Sequence, residues 1–473
     1  MCNERCIWVC RGDLCETIYN KPNKFLLRTT PNNGLDEINA TREGLSFIRN
    51  WELWKFNRRL VTKFLTNQKF LGYALEHIQV VWEEMETYLK EYEILGNDNN
   101  GEILDFSKWV SAWSTDITLF LFTNQNVHSL AIYNSTPSQN SLLLQNIPKS
   151  ILKSPDAFIE NTTAYLGSWL FFAFTPKFIR MLSGFRERVK SFYDKRNSLR
   201  RDIKEIIQKR RKEIEIVNND DEYDNSQNGL YPDLLATILT TNDNGSINKN
   251  IEYNEDNVHS KYMTDDDITG LLIDVMSGGV ETTPSTICYV VYFLAHYPAV
   301  RECLLKELDH TFGRSPDYKF EIEDLNKLKY CEAVIYEVMR IYSTASSNYR
   351  MSNEPCEIGG YAFPKYTQFL LNYQVINSHH AHWINPNGFN PERFLKSSID
   401  SRKSNQYFQA FGGGLRVCPG KALAMIQLKS FLVLLYRNWE VELVDMNAPI
   451  KSHYATTKSC QQLEVKIRKR KFV

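Results

Sequence analysis

No stretch of about 18 consecutive apolar residues occurs in this 473-residue chain. It carries no signal for a membrane-crossing helix. Met1-Cys2-Asn3-Glu4-Arg5 is not followed by the apolar core of a secretory signal peptide. Net charge is absent too. The 56 basic and 56 acidic side chains cancel, and nothing points to a nucleic-acid partner. Ten cysteines in so long a chain, with no secretory signal, do not make a disulfide scaffold. Four of them, Cys2, Cys6, Cys10 and Cys15, crowd the start, but none of their spacings is the C-x-x-C of a zinc site. His379, His380 and His382 cluster with the spacing of a polar loop. What the chain does have is core material, at 43% hydrophobic and 13% aromatic residues.

One stretch is dense in chemistry: Phe411-Gly412-Gly413-Gly414-Leu415-Arg416-Val417-Cys418-Pro419-Gly420. Three consecutive glycines let the backbone take positive φ and approach something flat and bulky. Lys421 to Leu428 reads as helix. Proline is favoured at a first helical position, which puts Cys418 near the N-cap. There the positive helix end favours a thiolate over a thiol. Phe411 can shield the sulfur, and Arg416 can reach an anionic group on a ligand. A buried cysteine after a Gly-rich turn is the plainer reading of a bare G-G-G-x-x-x-C.

A long helix is predicted from Thr264-Asp265-Asp266-Asp267, which caps it, to about Tyr297, where Pro298 follows. It is apolar nearly all round, so it crosses the middle of the protein. Asp267, Gly270, Asp274, Gly278, Glu281 and Ser285 fall within one arc of it. Lone buried carboxylates are costly, so this stripe suggests a water-lined channel or groove. Within it stands Gly278-Gly279-Val280-Glu281-Thr282-Thr283-Pro284. A Thr282 hydroxyl bonded back to Gly278 and the missing N–H of Pro284 both loosen the ladder, which predicts a bulge or kink at Gly279 to Thr282.

The remaining elements are read in order. Ile7 to Cys10 ends a strand, Asp13 to Tyr19 is a short helix, and Phe25 to Arg28 follows. On a helix from Trp51, Trp54 and Arg58 are i,i+4 neighbours. An indole N–H beside a guanidinium suits a ligand carboxylate, although a surface cation–π pair is the plainer reading and Trp51 with Lys55 has the same spacing. Residues 60–210 are mostly amphipathic helix. Residues 216–260 form a polar insertion with one helix, Asp233 to Leu239, between poorly ordered loops. A helix from Leu328 to Tyr342 carries Glu337 and Arg340. Cys356 to Thr367 is a hairpin, followed by a strand to Tyr373. Leu423 to Tyr436 is helical, with closing strands at Glu440 to Val444 and Leu463 to Ile467.

The pattern Phe-x-x-Gly-x-Arg-x-Cys-x-Gly, filled at every fixed position, resembles the haem-binding signature of the cytochrome P450 family. Gly278 to Thr282 is similar to that family's oxygen-binding groove. Glu337-x-x-Arg340 and Pro391-Glu392-Arg393-Phe394 resemble two further motifs, and all occur in the family's order. The resemblance implies a mainly α fold with small β-sheets and haem between the long central helix and the cysteine loop, as one domain over residues 1–473. It implies haem b on Cys418, in a loop shaped by Phe411, Gly414, Arg416 and Gly420. Trp54, Arg58 and Arg350 would bind its propionates, and Gly278 would line the groove. Glu281 and Thr282 would deliver protons, and Glu337, Arg340 and Arg393 would form a buried structural triad. The pocket lining would come from Thr29 to Asn50, from Val275, Met276 and Gly279, from Thr344 to Asn348 and from Ser452 to Thr457.

The implied reaction is monooxygenation of a mainly apolar small substrate by O2. Electrons come ultimately from NAD(P)H through a partner, an NADPH-dependent flavoprotein reductase in preference to a ferredoxin. Two alternatives are an isomerase or dehydratase that needs no O2, and a non-catalytic haem protein. The intact Glu281-Thr282 pair argues against the isomerase. By resemblance the protein belongs at the endoplasmic reticulum membrane, although this chain shows no transmembrane segment and reads as cytoplasm-facing or soluble as given. Too few residues precede Trp54 for the family's anchor and first sheet strands, so the sequence reads either as N-terminally incomplete or as having a cut-down first sheet, with an exposed edge expected on the small sheet formed by the Cys356 to Tyr373 hairpin.

Overall fold

The computed structural model describes residues 6–28, 34–95, 103–134, 150–218, 233–247, 263–313, 319–395 and 407–471. Helices dominate and the strands form small sheets. The chain divides into two compact units. One holds residues 1–31, 71–114 and 281–473, the other residues 32–70 and 115–280. The division falls inside the longest apolar helix, Asp265–His296, between Val280 and Glu281.

All the sheets lie in the first unit. Strand β1 (Cys6–Val9) is followed by β2 (Leu104–Asp105), β3 (Asn348–Met351), β4 (Cys356–Ile358), β5 (Tyr361–Phe363) and β6 (Gln368–Leu371). Strands β7 (Trp439–Leu443), β8 (Lys451–Tyr454), β9 (Lys458–Gln462) and β10 (Glu464–Lys469) close the chain. The first sheet has the order β1-β6-β3, with β1 parallel to β6 and β3 antiparallel to it. The open edge expected on the sheet of the Cys356 to Tyr373 hairpin is corrected for its last strand, whereas β4 and β5 pair only with each other among the described residues. β6 is the middle strand, because Cys6–Val9 supplies the neighbour that a local reading could not see. Phe25 to Arg28 adds only one bridge, Leu27 to Met351. The hairpin β4–β5 turns through Gly359 and Gly360, both at positive φ. β8 and β9 form a second hairpin, and β10 pairs with both β2 and β7.

Aromatic packing centres this unit. The ring of Phe431, on the helix Lys421–Asn438, meets Trp82, Phe106 and Trp113 edge-on at centroid distances of 5.4, 5.9 and 4.8 Å. A second cluster, Val9, Cys15, Ile18, Phe25, Phe369 and Leu371, joins the first sheet to the helix Gly12–Tyr19. His382 belongs to the fold, since its Nε2 accepts the Gly12 N–H at 2.9 Å.

The second unit is helical. The helices Pro155–Phe174 and Ser183–Asn218 pack against each other. The buried Arg210 guanidinium grips Asp233 at 2.7 Å. Asp233 in turn accepts the Ala236 N–H at the start of the helix Leu234–Ile247. That helix runs past the expected end at Leu239. Residues 219–232 and 248–262, on either side of it and expected as poorly ordered loops, lie outside the described residues, as does Thr29 to Asn33.

The long helix departs from expectation twice. It remains helical across Gly279 to Pro284. The hydroxyls of Ser285 and Thr286 bond back to the carbonyls of Glu281 and Thr282, each at 2.8 Å. Its acidic stripe is held by protein groups. Asp274 accepts the backbone N–H groups of Leu45 and Ser46, both at 2.8 Å, and the Tyr165 hydroxyl at 3.1 Å. Gly44 sits beside it at φ +83°, where a Cβ would meet the carboxylate at 2.4 Å. Three donors thus offset the desolvation of this carboxyl, whose pKa burial still raises.

Candidate active site

The cysteine loop is built by glycines that have no alternative. Gly412 and Gly414 hold φ of +66° and +62°, a region other residues rarely enter. Gly413 is extended, but a Cβ there would lie 2.4 Å from the Tyr19 ring. Tyr19 has little room to yield. Its hydroxyl reaches Tyr373 at 2.9 Å and Gln409 at 3.1 Å, and the Arg350 guanidinium sits 5.8 Å from its ring centre. The Cys418 N–H donates to the Phe411 carbonyl at 2.9 Å, which closes the loop and leaves the side chain exposed. The Phe411 ring is covered on one side by the Lys421 ammonium, 5.6 Å from its centre.

Cys418 is not at the N-cap. The cap is Gly420, and the helix begins at Lys421. Pro419 and Gly420 are spent in a turn, so the cysteine stands two residues before the cap. At Gly420 a Cβ would lie 3.9 Å from the sulfur, an ordinary contact, so this position does not itself demand a glycine. Gly413→Ala is expected to push the loop off Tyr19 at a cost of about 1–3 kcal/mol. The measurable result is a lower ratio of haem to protein absorbance in the purified enzyme.

Arg416 is buried and donates to the Leu26 carbonyl at 3.0 Å. Arg350 is buried in β3 and donates to the Asn348 side chain at 3.1 Å and the Tyr349 carbonyl at 2.8 Å. Both guanidinium groups lie in the same unit as Cys418. In the other unit, Trp54 is buried on the helix Trp51–Leu65 and stacks on Trp51 at 4.8 Å, and Arg58 is half-buried one turn on. Trp51 and Lys55 make a surface cation–π contact at 5.1 Å, with Lys55 also paired to Glu52.

Behind the loop, Glu337, Arg340 and Arg393 meet. Arg340 donates to both carboxylate oxygens of Glu337 at 2.8 Å, and Arg393 Nε approaches at 3.0 Å. The Asn390 N–H adds a further bond at 2.9 Å. The second positive charge is spread over carbonyls. Arg340 reaches those of Asn377 and Pro386, and Arg393 that of Ile384. All three side chains are at most 3% exposed. Removing one partner strands a buried charge, at roughly 3–5 kcal/mol. Glu337→Ala is therefore expected to lower the denaturant midpoint sharply and yield little haem-loaded protein. Normal loading in that variant would show that the cluster does not carry the loop.

On the long helix, Gly278 and Thr282 are i,i+4 neighbours on one face. Gly278 is exposed, with nothing within 4 Å of the place a Cβ would take, and Thr282 is half-exposed. Gly279 faces elsewhere, 2.8 Å from the Thr118 hydroxyl by the same measure. Glu281 is buried and turned toward the hairpin β8–β9, where the Thr457 hydroxyl donates to it. Burial pushes its carboxyl above the ordinary range, against the pull of the Thr457 and Ser459 hydroxyls. Thr457 and Ser459 lie about 176 residues from Glu281, and no local pattern announced them.

These features fit a haem. One exposed cysteine, a glycine-walled loop and two buried guanidinium groups, all in one unit, suit a flat, anionic, thiolate-ligated group. Comparison with known proteins decides the matter. The sequence profile of the cytochrome P450 family matches residues 1–463. The chain belongs to the cytochrome P450 family. Among its relatives is the (+)-vincadifformine 19-hydroxylase of Catharanthus roseus, 24% identical over 84% of this chain and 70% of that protein. The human steroid 17-alpha-hydroxylase/17,20 lyase is 27% identical over 87% and 72% of the two chains. Tabersonine 3-oxygenase, also of Catharanthus roseus, is 30% identical, but the match covers only 44% of this chain and 40% of that one. The heme domain of cytochrome P450DA superposes with a TM-score of 0.74 at 17% identity, covering 100% of this chain and 89% of that one. The P450 fold and a haem-iron monooxygenase follow from this membership, as does general reliance on O2 and a redox partner. No helix among the described residues is long and apolar enough to cross a membrane.

Proposed function

We propose that this cytochrome P450 inserts one atom of O2 into a mainly apolar small molecule and reduces the other to water. NADPH supplies the two electrons through a flavoprotein reductase. The balance is substrate, O2, NADPH and a proton in, and hydroxylated product, water and NADP+ out. The named activities of the relatives, hydroxylation of (+)-vincadifformine and of a steroid, support the substrate class. Their eukaryotic origin supports the reductase and residence at the endoplasmic reticulum membrane. The single observation carrying the reading is the exposed Cys418 in its glycine loop, with the buried guanidinium groups of Arg350 and Arg416 in the same unit.

Haem on Cys418 would supply the activation of O2. The residues do the rest. Cys418 holds the group as a thiolate, with the Phe411 ring beside it. Arg416 and Arg350 offer guanidinium charge to its carboxylates. The Thr282 hydroxyl holds a water on the open face and passes protons into the groove. Glu281 is the acid behind it, its carboxyl pushed above the ordinary range by burial. The apolar length of the helix keeps other water away.

The test is a reconstitution with reductase, NADPH and a panel of apolar compounds chosen by their shift of the haem absorption band. Product should appear with O2 and NADPH consumed in near-equal amounts. Turnover of a substrate with neither O2 nor NADPH would replace this reading with the isomerase.

A further inference from the structure

Three successive turns of the long helix are riveted to one hairpin. Glu281, Ser285 and Tyr289, at i, i+4 and i+8, all bond to β8–β9. Thr457 donates to the Glu281 carboxyl. The Cys460 N–H donates to the Ser285 hydroxyl at 3.2 Å. The Tyr289 hydroxyl lies 3.2 Å from that of Ser452 and 3.3 Å from the Lys458 carbonyl. Lys458 secures the base of the hairpin. Its N–H donates to the Thr344 carbonyl at 2.7 Å, and its ammonium lies 3.2 Å from the centre of the Tyr342 ring. These contacts fix the hairpin on the helix even before Glu281 is counted.

The contact at Glu281 is different in kind. Ser285 and Tyr289 serve the hairpin's backbone and packing, whereas Glu281 neighbours Thr282. Consecutive helical residues point about 100° apart, so the acid faces the hairpin while the hydroxyl faces the open groove. Two hairpin hydroxyls, those of Thr457 and Ser459, act on the acid, and Thr457 is the one that donates to its carboxylate from beside the turn. Thr457 sits beside the hairpin's turn, where the Ala455 N–H meets its carbonyl at 2.9 Å. It is half-buried, unlike the fully buried Lys458 and Ser459 that follow it.

We infer that Thr457 is a positioning residue for proton delivery: its hydroxyl holds the Glu281 carboxyl against the hairpin and so links the hairpin's turn to the acid beside Thr282. The inference rests on the reading of Glu281 and Thr282 as the proton-delivering pair, and it adds a residue that no motif contains.

The experiment uses the holoenzyme with its reductase and compares Thr457→Val, Thr457→Ser, Glu281→Gln and the double variant Thr457→Val with Glu281→Gln. Two quantities are read. One is product formed per NADPH oxidised. The other is the infrared band of the Glu281 carboxyl, identified by its loss in Glu281→Gln. Thr457→Val keeps the shape and removes the donor. It should lower product per NADPH roughly tenfold, the scale of one hydrogen bond to a carboxyl group, and shift the band. Thr457→Ser should restore both. The valine should add nothing once Glu281 is glutamine. An unshifted band and normal ratio in Thr457→Val would overturn the inference while leaving the pair intact. Equal loss from the valine in the Glu281→Gln background would reduce Thr457 to hairpin packing. A normal ratio in Glu281→Gln would sink the proton-delivery reading itself, and the inference with it. Should Thr457→Val fail to load haem, Thr457→Ala, which also lacks the donor but adds no methyl, takes its place under the same outcomes.

Discussion

Cys418→His is expected to give a folded protein that binds haem, lacks the thiolate-type absorption of the reduced carbonyl complex, and forms no hydroxylated product. The loop's shape depends on Gly412, Gly413 and Gly414 and on the bond from the residue 418 N–H to Phe411, not on the sulfur. An exposed side chain at 418 leaves space for an imidazole. The charge does not survive the exchange, because a neutral ring nitrogen replaces an anionic sulfur that donates electron density to iron. Loss of activity should be complete within detection. Cys15, Cys288 and Cys331 are buried cysteines whose thiols burial holds well above their ordinary range. They are poor thiolate donors. A thiolate-type spectrum retained in Cys418→His would mean that another cysteine binds the iron, and the assignment of this loop would fall.

Thr282→Val should separate oxygen consumption from product. The change removes one hydroxyl and nearly keeps the volume. Haem should load as before, because Thr282 is remote in sequence from the loop and the helix is already secured by Ser285, Thr286 and Tyr289. Correct placement of a proton donor is worth about 10²–10⁴-fold in rate. Product formation should fall by that order while NADPH consumption falls much less, and hydrogen peroxide should account for the difference. Peroxide added from outside should partly restore product, since it brings oxygen and protons together. If product per NADPH is unchanged, the hydroxyl does not direct protons and a different water or serine must be sought.

The two variants test features of different visibility. The cysteine loop could be read directly because its requirements are local. Positive φ, a close approach and a thiolate all fall within ten residues. The same holds for Gly278 to Thr282. Even so, local reading put Cys418 at the helix cap, where the structure has Gly420, because proline favours both a first helical position and a turn. It also made too much of Pro284, since hydroxyl back-bonds accompany an unbroken helix. The acidic stripe was only partly legible for a related reason. A carboxylate's cost was plain from the sequence, but its donors were not. For Asp274 they are backbone groups about 230 residues earlier in the chain.

By itself the sequence determined the class of chemistry and the elements that carry it. A cysteine loop rich in glycine and a threonine on a small-residue helix face are each set by residue type and short spacing, and such patterns are one-dimensional, whereas the meeting of Glu337 and Arg340 with Arg393 was legible only through the resemblance to the family. Tertiary structure alone decided what Glu281 faces, that β1 covers the edge of β6, and that Tyr19 stands against Gly413. These are pairings across hundreds of residues. Their partners are a common threonine, a short apolar strand and an ordinary tyrosine, which carry no local mark. A buried hydrogen bond or ring contact is selected by what the folded chain brings within 3–4 Å, and periodicity along the sequence does not encode that distance.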